Sequence, residues 1–206
     1  FEMYPVIGME TPYAYRNKAQ FPVGEDKDGN IVIGFYAGRT HHIVEQTDCC
    51  IGAPENGEVL RKVKAYMQKN QIRPYNEEHH SGIVRHILIR TGYHTKGIMV
   101  CLIVNAAKAS CLKNAEQLTE SLREMDGMTS VMVNFNTEKT NVILGKKSEV
   151  LWGQPYIEDF IGDVKYQISP QWSITGSARL ASDRTFLRRY DISRDDRLRS
   201  TLAVER

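Results

Sequence analysis

The sequence has no long hydrophobic run: its longest, residues 98–104 (IMVCLIV), contains only seven residues. A membrane-spanning helix needs about 20 apolar residues, so this run is too short to cross a bilayer. The first residues, FEMYP, have neither the basic nor the apolar region of a secretory signal peptide and lack an initiator methionine. We therefore expect this sequence to be part of a longer protein. With four cysteines and no export signal, we also expect a cytoplasmic protein with no membrane partner.

Motifs that mark metal and nucleotide sites are also missing. No CxxC pair, glycine-rich phosphate loop or dinucleotide fingerprint occurs. Cys49 and Cys50 are adjacent, and neighbouring side chains of an extended segment point to opposite faces, so the two are poorly placed to bind one metal. Cys101 lies in the apolar run and is more typical of a core residue than of a nucleophile. The tandem histidines at 41–42 and 79–80 are typical of exposed loops, so the residues alone predict no catalytic and no cofactor-binding residue.

Charge is nearly balanced but unevenly distributed. The chain has 27 Lys+Arg and 25 Asp+Glu, a net charge of +2. Residues 171–206 contain eight arginines, five acids and no lysine, whereas residues 1–170 contain 12 lysines, seven arginines and 20 acids. This change in composition predicts a boundary near residue 170. The last segment is interpreted either as a flexible basic tail or as a segment that is not the natural continuation of the protein.

Apolar periodicity predicts the elements of the preceding body. Strands are predicted over residues 13–23 and 31–37, joined by a turn at Asp28-Gly29, and over 83–90 and 98–105, which form a second hairpin. Helices are predicted over 58–68 and from Asn114 to about Met125, where Asn114 and Gln117 resemble a capping box. Further strands are predicted over 130–136 and, more briefly, around 142–144, 149–152 and 163–168.

The order of these elements predicts an α+β domain, in which two helices pack on a mainly antiparallel sheet built from hairpins. The continuous apolar run of residues 98–104 predicts a central strand that is buried on both faces. No complete Rossmann-like domain is expected.

Basic residues on these strands are candidate phosphate contacts. Arginine offers a bidentate fork that suits phosphate, and hairpins that carry Arg, Lys, Asn and Tyr are a plausible RNA surface. The alternative for each residue is an ordinary surface pairing with an acid. The candidate RNA contacts are Arg16, Lys18, Arg39, Arg85 and Arg90.

Seven short segments resemble the middle of the RNA (uracil-5)-methyltransferase family, especially the bacterial enzymes that methylate uracils of 23S ribosomal RNA. Their order and spacing also fit, and the resemblance covers about residues 4–170. The segments are 15–23 (YRNKAQFPV), 34–41 (GFYAGRTH), 85–90 (RHILIR), 130–136 (SVMVNFN), 140–145 (TNVILG), 156–159 (YIED) and 168–170 (ISP).

The resemblance implies a three-part enzyme: an RNA-binding β-barrel, a central α+β domain that carries a 4Fe–4S cluster in many members, and a Rossmann-like domain that binds S-adenosylmethionine. This chain resembles the central part alone. Cys49 matches the position of the fourth cluster ligand, whereas the other three ligands precede the matching region. The family's nucleophilic cysteine, basic glutamate and cofactor loop follow it. The implied domains are a linker over residues 1–12, the central domain over 13–170, and an aberrant or disordered Arg-rich tail over 171–206.

The resemblance therefore predicts a fragment of an S-adenosylmethionine-dependent 23S rRNA uracil-C5 methyltransferase that docks ribosomal RNA and supports the cluster. We expect it to be monomeric, not catalytic alone, and to bind neither the cluster nor the methyl donor by itself. A frameshift or truncation near residue 170 would explain why composition and resemblance change together. The rival interpretations are a standalone RNA-binding module and an inert fragment that folds poorly.

Overall fold

The computed structural model describes residue 8, residues 11–171 and the backbone of residues 173–178 and 200–205. The chain divides into two compact units, Phe1–Gln167 and Ile168–Arg206. In the second unit, strand β10 (Ser173–Ala178) pairs antiparallel with strand β11 (Ser200–Glu205). Residues 179–199, most of the predicted Arg-rich tail, lie outside the described residues, as do residues 1–7, 9 and 10 of the predicted linker. The predicted domain boundaries stay predictions.

The described residues up to 168 contain two α-helices, a seven-stranded sheet and a small two-stranded sheet. The elements are β1 (Lys18–Glu25), β2 (Ile31–Tyr36), β3 (Ile43–Glu45), α1 (Asn56–Lys69), β4 (Val84–Thr91), β5 (Ile98–Val104), α2 (Ala115–Arg123), β6 (Met128–Phe135), β7 (Lys147–Gly153), β8 (Ile157–Ile161) and β9 (Val164–Ile168). The strand order of the large sheet is β3-β2-β1-β4-β5-β6-β7, and β8 pairs with β9 in the small one.

The two predicted hairpins are confirmed. β1 pairs antiparallel with β2, and β4 pairs antiparallel with β5. In the first turn, the Asp26 carboxylate accepts hydrogen bonds from the backbone N–H groups of Asp28 (2.9 Å) and Asn30 (2.8 Å). Gly29 adopts a φ of +80°, a left-handed conformation that favours glycine. The sequence signal at Asp28-Gly29 thus arises from the geometry that the turn requires.

The expectation of a sheet built from hairpins is only partly correct, because β5 and β6 are parallel. Parallel neighbours require a crossover connection, and α2 supplies it between the two strands. The periodicity of each element was readable from the sequence, but the direction in which a strand enters the sheet is decided by tertiary packing. The sheet is therefore mixed, and the α+β assignment holds.

Both helices pack on one face of this sheet. The predicted stripe of α1 is buried, with Val59, Leu60 and Val63 fully inaccessible, and Leu118 and Leu122 of α2 are buried in the same core. The predicted capping box is wrong. Asn114 has a φ of +52° and makes no side-chain cap hydrogen bond. Its amide instead donates to Asn70 Oδ1 at the end of α1, at 2.7 Å, and so ties the two helices together.

The prediction that residues 98–104 form a strand buried on both faces is confirmed, because every residue of β5 is buried. Val100 and Leu102 contribute to the helix-covered core, whereas Met99, Cys101 and Ile103 alternate with them. Burial raises the pKa of the Cys101 thiol to about 12, although Arg90 lowers it in part. A thiol that stays protonated is a poor nucleophile, as expected of a core cysteine.

Among the described residues, no helix is long and apolar enough to cross a membrane.

Candidate nucleic-acid interface

Three of the five predicted RNA contacts lie on the surface. Arg16 is exposed in a segment that runs parallel to the Cys49–Cys50 loop, and its backbone N–H donates to the carbonyl of Ile51 at 2.9 Å. Lys18 is the exposed first residue of β1. Arg39 is exposed in the β2–β3 turn, where its φ is +63°. The side chains of these three residues are accessible to a large polyanion.

The other two, Arg85 and Arg90, are buried in β4 with exposures of 4% and 5%. Arg90 is the cross-strand partner of Lys18. The Arg85 guanidinium is used within the protein, because its Nη1 donates to the carbonyls of Asn136 (2.9 Å) and Glu138 (2.8 Å). Burial does not favour contact between either guanidinium and RNA, so that part of the predicted set stays a prediction.

Arg85, Asn134 and Asn136 together hold residues 137–146, and we name these three side chains the polar clamp. Arg85 Nη2 reaches the carbonyl of Thr140 at 3.2 Å. Asn136 Nδ2 donates to the carbonyls of Val142 (2.7 Å) and Ile143 (2.9 Å).

Asn134 completes the clamp at the far end of the loop. Its Nδ2 donates to the carbonyl of Gly145 at 3.0 Å, and its Oδ1 accepts the Gly145 N–H at 2.7 Å. Residues 137–146, the clamped loop, therefore have a defined path without forming helix or strand.

The predicted short strand at 142–144 is consequently wrong, since its carbonyls accept from a side chain rather than from a neighbouring strand. A signal for this arrangement was present in the sequence. Asn134 alternates with apolar residues on the buried strand β6, Asn136 follows directly after its end, and buried amides require hydrogen-bond partners. A following segment without apolar periodicity is the natural source of such partners. Sequence reasoning recognised the alternation but did not draw this consequence.

Sequence reasoning also missed three exposed lysines, which flank or lie in the clamped loop: Lys139, Lys146 and Lys147. None of them takes part in the ion pairs found among the described residues. Lys146 and Lys147 border a cavity of about 520 Å³, to which Phe135 and Leu144 also contribute. Fixed backbone combined with unpaired cationic side chains is a suitable surface for phosphate groups.

A second cavity of about 280 Å³ lies where segments 34–41 and 85–90 meet. The ring of Tyr36 packs edge-on against His41 (5.7 Å between centroids) and His86 (6.4 Å). His41 Nδ1 lies 2.7 Å from the Glu77 carboxylate. Burial, with a further contribution from Arg85, lowers the pKa of His86 to about 4. His86 is therefore neutral near pH 7, and the tandem histidines 41–42 and 79–80 are exposed as predicted.

Comparison with known proteins finds relatives of this chain. No protein-family model matches the chain. It is 41% identical over 170 residues to an uncharacterized RNA methyltransferase of Clostridium tetani, covering 82% of this chain and 36% of that protein. It is 42% identical over 168 residues to one of Bacillus cereus, covering 81% and 36%. Over the residues that it shares with them, the chain is thus related to RNA methyltransferases.

The chain spans about a third of the length of these RNA methyltransferases. A solved structure also shares the fold: tRNA (uracil-54, C5)-methyltransferase of Pyrococcus abyssi, in complex with S-adenosyl-L-homocysteine. The TM-score is 0.64 at 23% identity, and the match covers 80% of this chain and 37% of that one. The predicted relationship to RNA methyltransferases is thus confirmed, and the α+β fold recurs in a uracil-C5 methyltransferase.

The iron–sulfur cluster suggested by the resemblance does not fit the described residues alone. A cubane cluster requires four thiolates, and within the described part of the chain no group of three or more His, Cys, Asp or Glu side chains is placed to hold a metal. Cys49 is half-buried, and its carbonyl accepts the N–H of Gly52 at 2.9 Å. Its assignment as a cluster ligand stays a prediction, as do the binding and chemistry of S-adenosylmethionine.

Proposed function

We propose that this chain is the RNA-docking part of an S-adenosylmethionine-dependent uracil-C5 methyltransferase that acts on 23S ribosomal RNA, and that it is not catalytic alone. The observation that carries the proposal is the identity of 41% to RNA methyltransferases over only 36% of their length. The fold shared with a uracil-C5 methyltransferase supports the reaction class. The resemblance assigns the nucleophilic cysteine and the cofactor loop to regions beyond the matching residues.

The role in docking rests on charge and on rigidity. Arg16, Lys18 and Arg39 are exposed, and the clamped loop adds Lys139, Lys146 and Lys147. Contacts between such side chains and phosphates orient an RNA without reading its sequence. Because the polar clamp holds the loop in one path, little loop entropy is lost when RNA binds.

Two assays on the 206-residue chain test the proposal. In the first, fluorescence anisotropy measures binding to a 23S rRNA fragment; in the second, transfer of a labelled methyl group from S-adenosylmethionine to the same RNA is followed. Salt-sensitive binding without transfer is the expected result. Absence of binding would refute the docking role, and methylated uracil would refute the claim that the chain is not catalytic alone.

The alternative function, a standalone RNA-binding module, is favoured by one observation: residues of the first unit form a continuous core of their own between sheet and helices. It predicts the same binding. A mixing experiment distinguishes the two functions. Methyl transfer by the remaining two-thirds of a relative, such as the Clostridium tetani protein, should rise when this chain is added only if the chain is a docking part of such an enzyme.

Neutralising the three lysines should weaken RNA binding. For Lys139→Gln, Lys146→Gln and Lys147→Gln combined, we expect the affinity for a 12-nucleotide RNA to fall about tenfold in moderate salt. Each lost phosphate contact lowers the slope of log K against log salt by about 0.7 for single strands, so the slope should fall by about 2. Anisotropy titrations between 50 and 200 mM salt measure both quantities.

The matched control removes the same charge elsewhere. Lys27, Lys69 and Lys113 are exposed and lie in the β1–β2 turn, at the end of α1 and before α2. Their combined replacement by glutamine should leave the slope nearly unchanged. Equal losses in the two triple variants would show that only net charge matters and that the clamped loop has no special role.

A further inference from the structure

The turn between β4 and β5, residues 92–97, presents an aromatic ring beside a cation, and we name this turn the hairpin tip. Tyr93 is 67% exposed. The Lys96 ammonium lies 5.0 Å from the centroid of its ring, and the His94 ring packs edge-on at 4.9 Å. An exposed ring with an adjacent ammonium is the combination that single-stranded nucleic acids use, since a base stacks on the ring and its phosphate meets the cation.

The hairpin tip is held rigidly from below. The buried carboxylate of Asp159, on β8, accepts backbone N–H groups from Tyr93 (2.6 Å) and His94 (2.9 Å). Thr95 Oγ1 donates to the carbonyl of Glu158 at 2.7 Å, and Gly92 N–H donates to the carbonyl of Gly97 at 2.8 Å. This rigidity reduces the entropy lost when a ligand binds.

A cavity of about 450 Å³ adjoins the same turn. Thr95, Thr129, Gln154 and Tyr156 line it and offer both donors and acceptors. Its wall depends on Gly127, which has a φ of +80°, since a Cβ atom there would lie 2.3 Å from the Lys96 carbonyl oxygen. The volume falls within the usual range for small-ligand sites and exceeds that of a single nucleobase.

The hairpin tip also lies at the end of the sheet that carries two of the predicted RNA contacts. The N–H of Thr91, immediately before the tip, donates to the carbonyl of Asn17 at 2.9 Å. Asn17 lies between the exposed residues Arg16 and Lys18. An RNA strand that follows these cations would therefore pass close to the ring of Tyr93.

We propose that the hairpin tip and its adjoining cavity bind an unpaired nucleobase of the RNA, with the base stacked on Tyr93, its phosphate beside Lys96, and its polar edge directed toward the cavity. This site deepens the proposed docking function and rests on it. It assigns the chain a preference for single-stranded over duplex RNA, because a paired base has no free face to offer.

The test compares Tyr93→Ala with Tyr93→Phe in the 206-residue chain. Binding is measured by anisotropy with a fluorescein-labelled 12-nucleotide RNA and with the duplex of the same sequence. Stacking of a base on an aromatic residue corresponds to roughly a 5- to 150-fold loss on alanine substitution. We expect such a loss for single-stranded RNA with Tyr93→Ala, an unchanged affinity with Tyr93→Phe, and nearly unchanged duplex binding with both.

The possible outcomes separate this inference from the docking function. If the chain binds RNA and depends on the lysines of the clamped loop, but Tyr93→Ala binds single strands as the wild type does, the nucleobase site is refuted and docking stands. Equal weakening of single-strand and duplex binding would also refute the site, because it would reflect altered structure or charge. If the wild type binds no RNA, both proposals fail. Thermal denaturation confirms that both variants remain folded.

Discussion

Replacing Arg85 by methionine is expected to lower the free energy of unfolding by about 2–4 kcal/mol, the range for loss of a buried hydrogen-bonding charge. The guanidinium donates to the carbonyls of Asn136, Glu138 and Thr140, and its cation lies 4.4 Å from the ring centroid of Tyr75. Methionine is an unbranched apolar side chain without a donor, so Asn136, which is 2% exposed, would retain a buried carbonyl with one partner fewer.

Urea denaturation at pH 7 measures this change, with Arg61→Met as the matched control. Arg61 is exposed on α1, and methionine is as good a helix former as arginine, so the control should change stability by less than about 0.5 kcal/mol. Lysine at position 85 should recover little, because a single ammonium cannot span three carbonyls. A loss for Arg85→Met no larger than that of the control would show that the clamp contributes nothing to stability.

The same variant should weaken RNA binding, since releasing the loop also frees Lys139, Lys146 and Lys147. Arg85 would then be a positioning residue for docking without touching RNA. Arg85 is a candidate RNA contact by its charge, and in the structure its guanidinium holds the clamped loop. The sequence shows that residue 85 is an arginine on a strand. Whether such an arginine faces solvent or a loop depends on which part of the chain folds over it.

Local sequence patterns predicted the secondary-structure elements well where apolar periodicity or backbone preference alone decides the structure. The alternation and turn chemistry of the two hairpins, the apolar stripe of α1 and the full burial of β5 follow from periodicity and backbone preference. Two of the errors concern partners distant in sequence, namely the parallel entry of β6 beside β5 and the hydrogen bond from Asn114 to Asn70. The third, at 142–144, has a partner nearby in sequence, because the Asn136 amide takes the carbonyls that a neighbouring strand would otherwise bond.

The candidate RNA-binding residues likewise divide into those that the sequence indicates and those that only the folded chain brings out. Arg16, Lys18 and Arg39 were identifiable as exposed cations near strand ends, whereas Tyr93 and Lys96 appeared only as residues of a turn. Their relevance comes from Asp159, more than 60 residues later, which fixes the backbone of that turn. Segment 156–159 was recognised through its resemblance to a family, without a physical reason for its aspartate. The structure supplies that reason.

Replacing Asp159 by asparagine should lower the free energy of unfolding at pH 7 by about 2–3 kcal/mol, because charge-assisted hydrogen bonds are lost at a buried site. The size of this loss in the free energy of unfolding should depend on pH. Burial raises the pKa of the Asp159 carboxyl, but the N–H donors of Tyr93, His94, Phe160 and Thr95 outweigh it, and the net pKa lies below its usual value. A carboxyl with a depressed folded-state pKa stabilises the protein above its unfolded pKa and loses this effect as pH falls through the folded value.

The difference between wild type and Asp159→Asn should therefore be largest near pH 7 and shrink below about pH 4, close to the ordinary pKa of aspartate. Urea denaturation at several pH values measures it. Asp163→Asn, exposed four residues along the chain, is the matched control and should show a small difference. A difference for Asp159→Asn that stays constant from pH 7 to pH 3 would contradict the assignment of the stabilisation to the ionised carboxylate.

If the hairpin tip binds RNA as proposed, Asp159 connects stability to RNA binding, and a double variant isolates that connection. If the carboxylate acts on RNA only by holding Tyr93 in place, Asp159→Asn should weaken single-strand binding in the wild-type background and cause no further loss in Tyr93→Ala. Such non-additivity is expected of two residues that act through one structural unit. Independent losses would instead mean that the carboxylate shapes another part of the surface, such as the cavity beside the hairpin tip. The double variant therefore distinguishes a rigid base under one ring from a general scaffold for the interface.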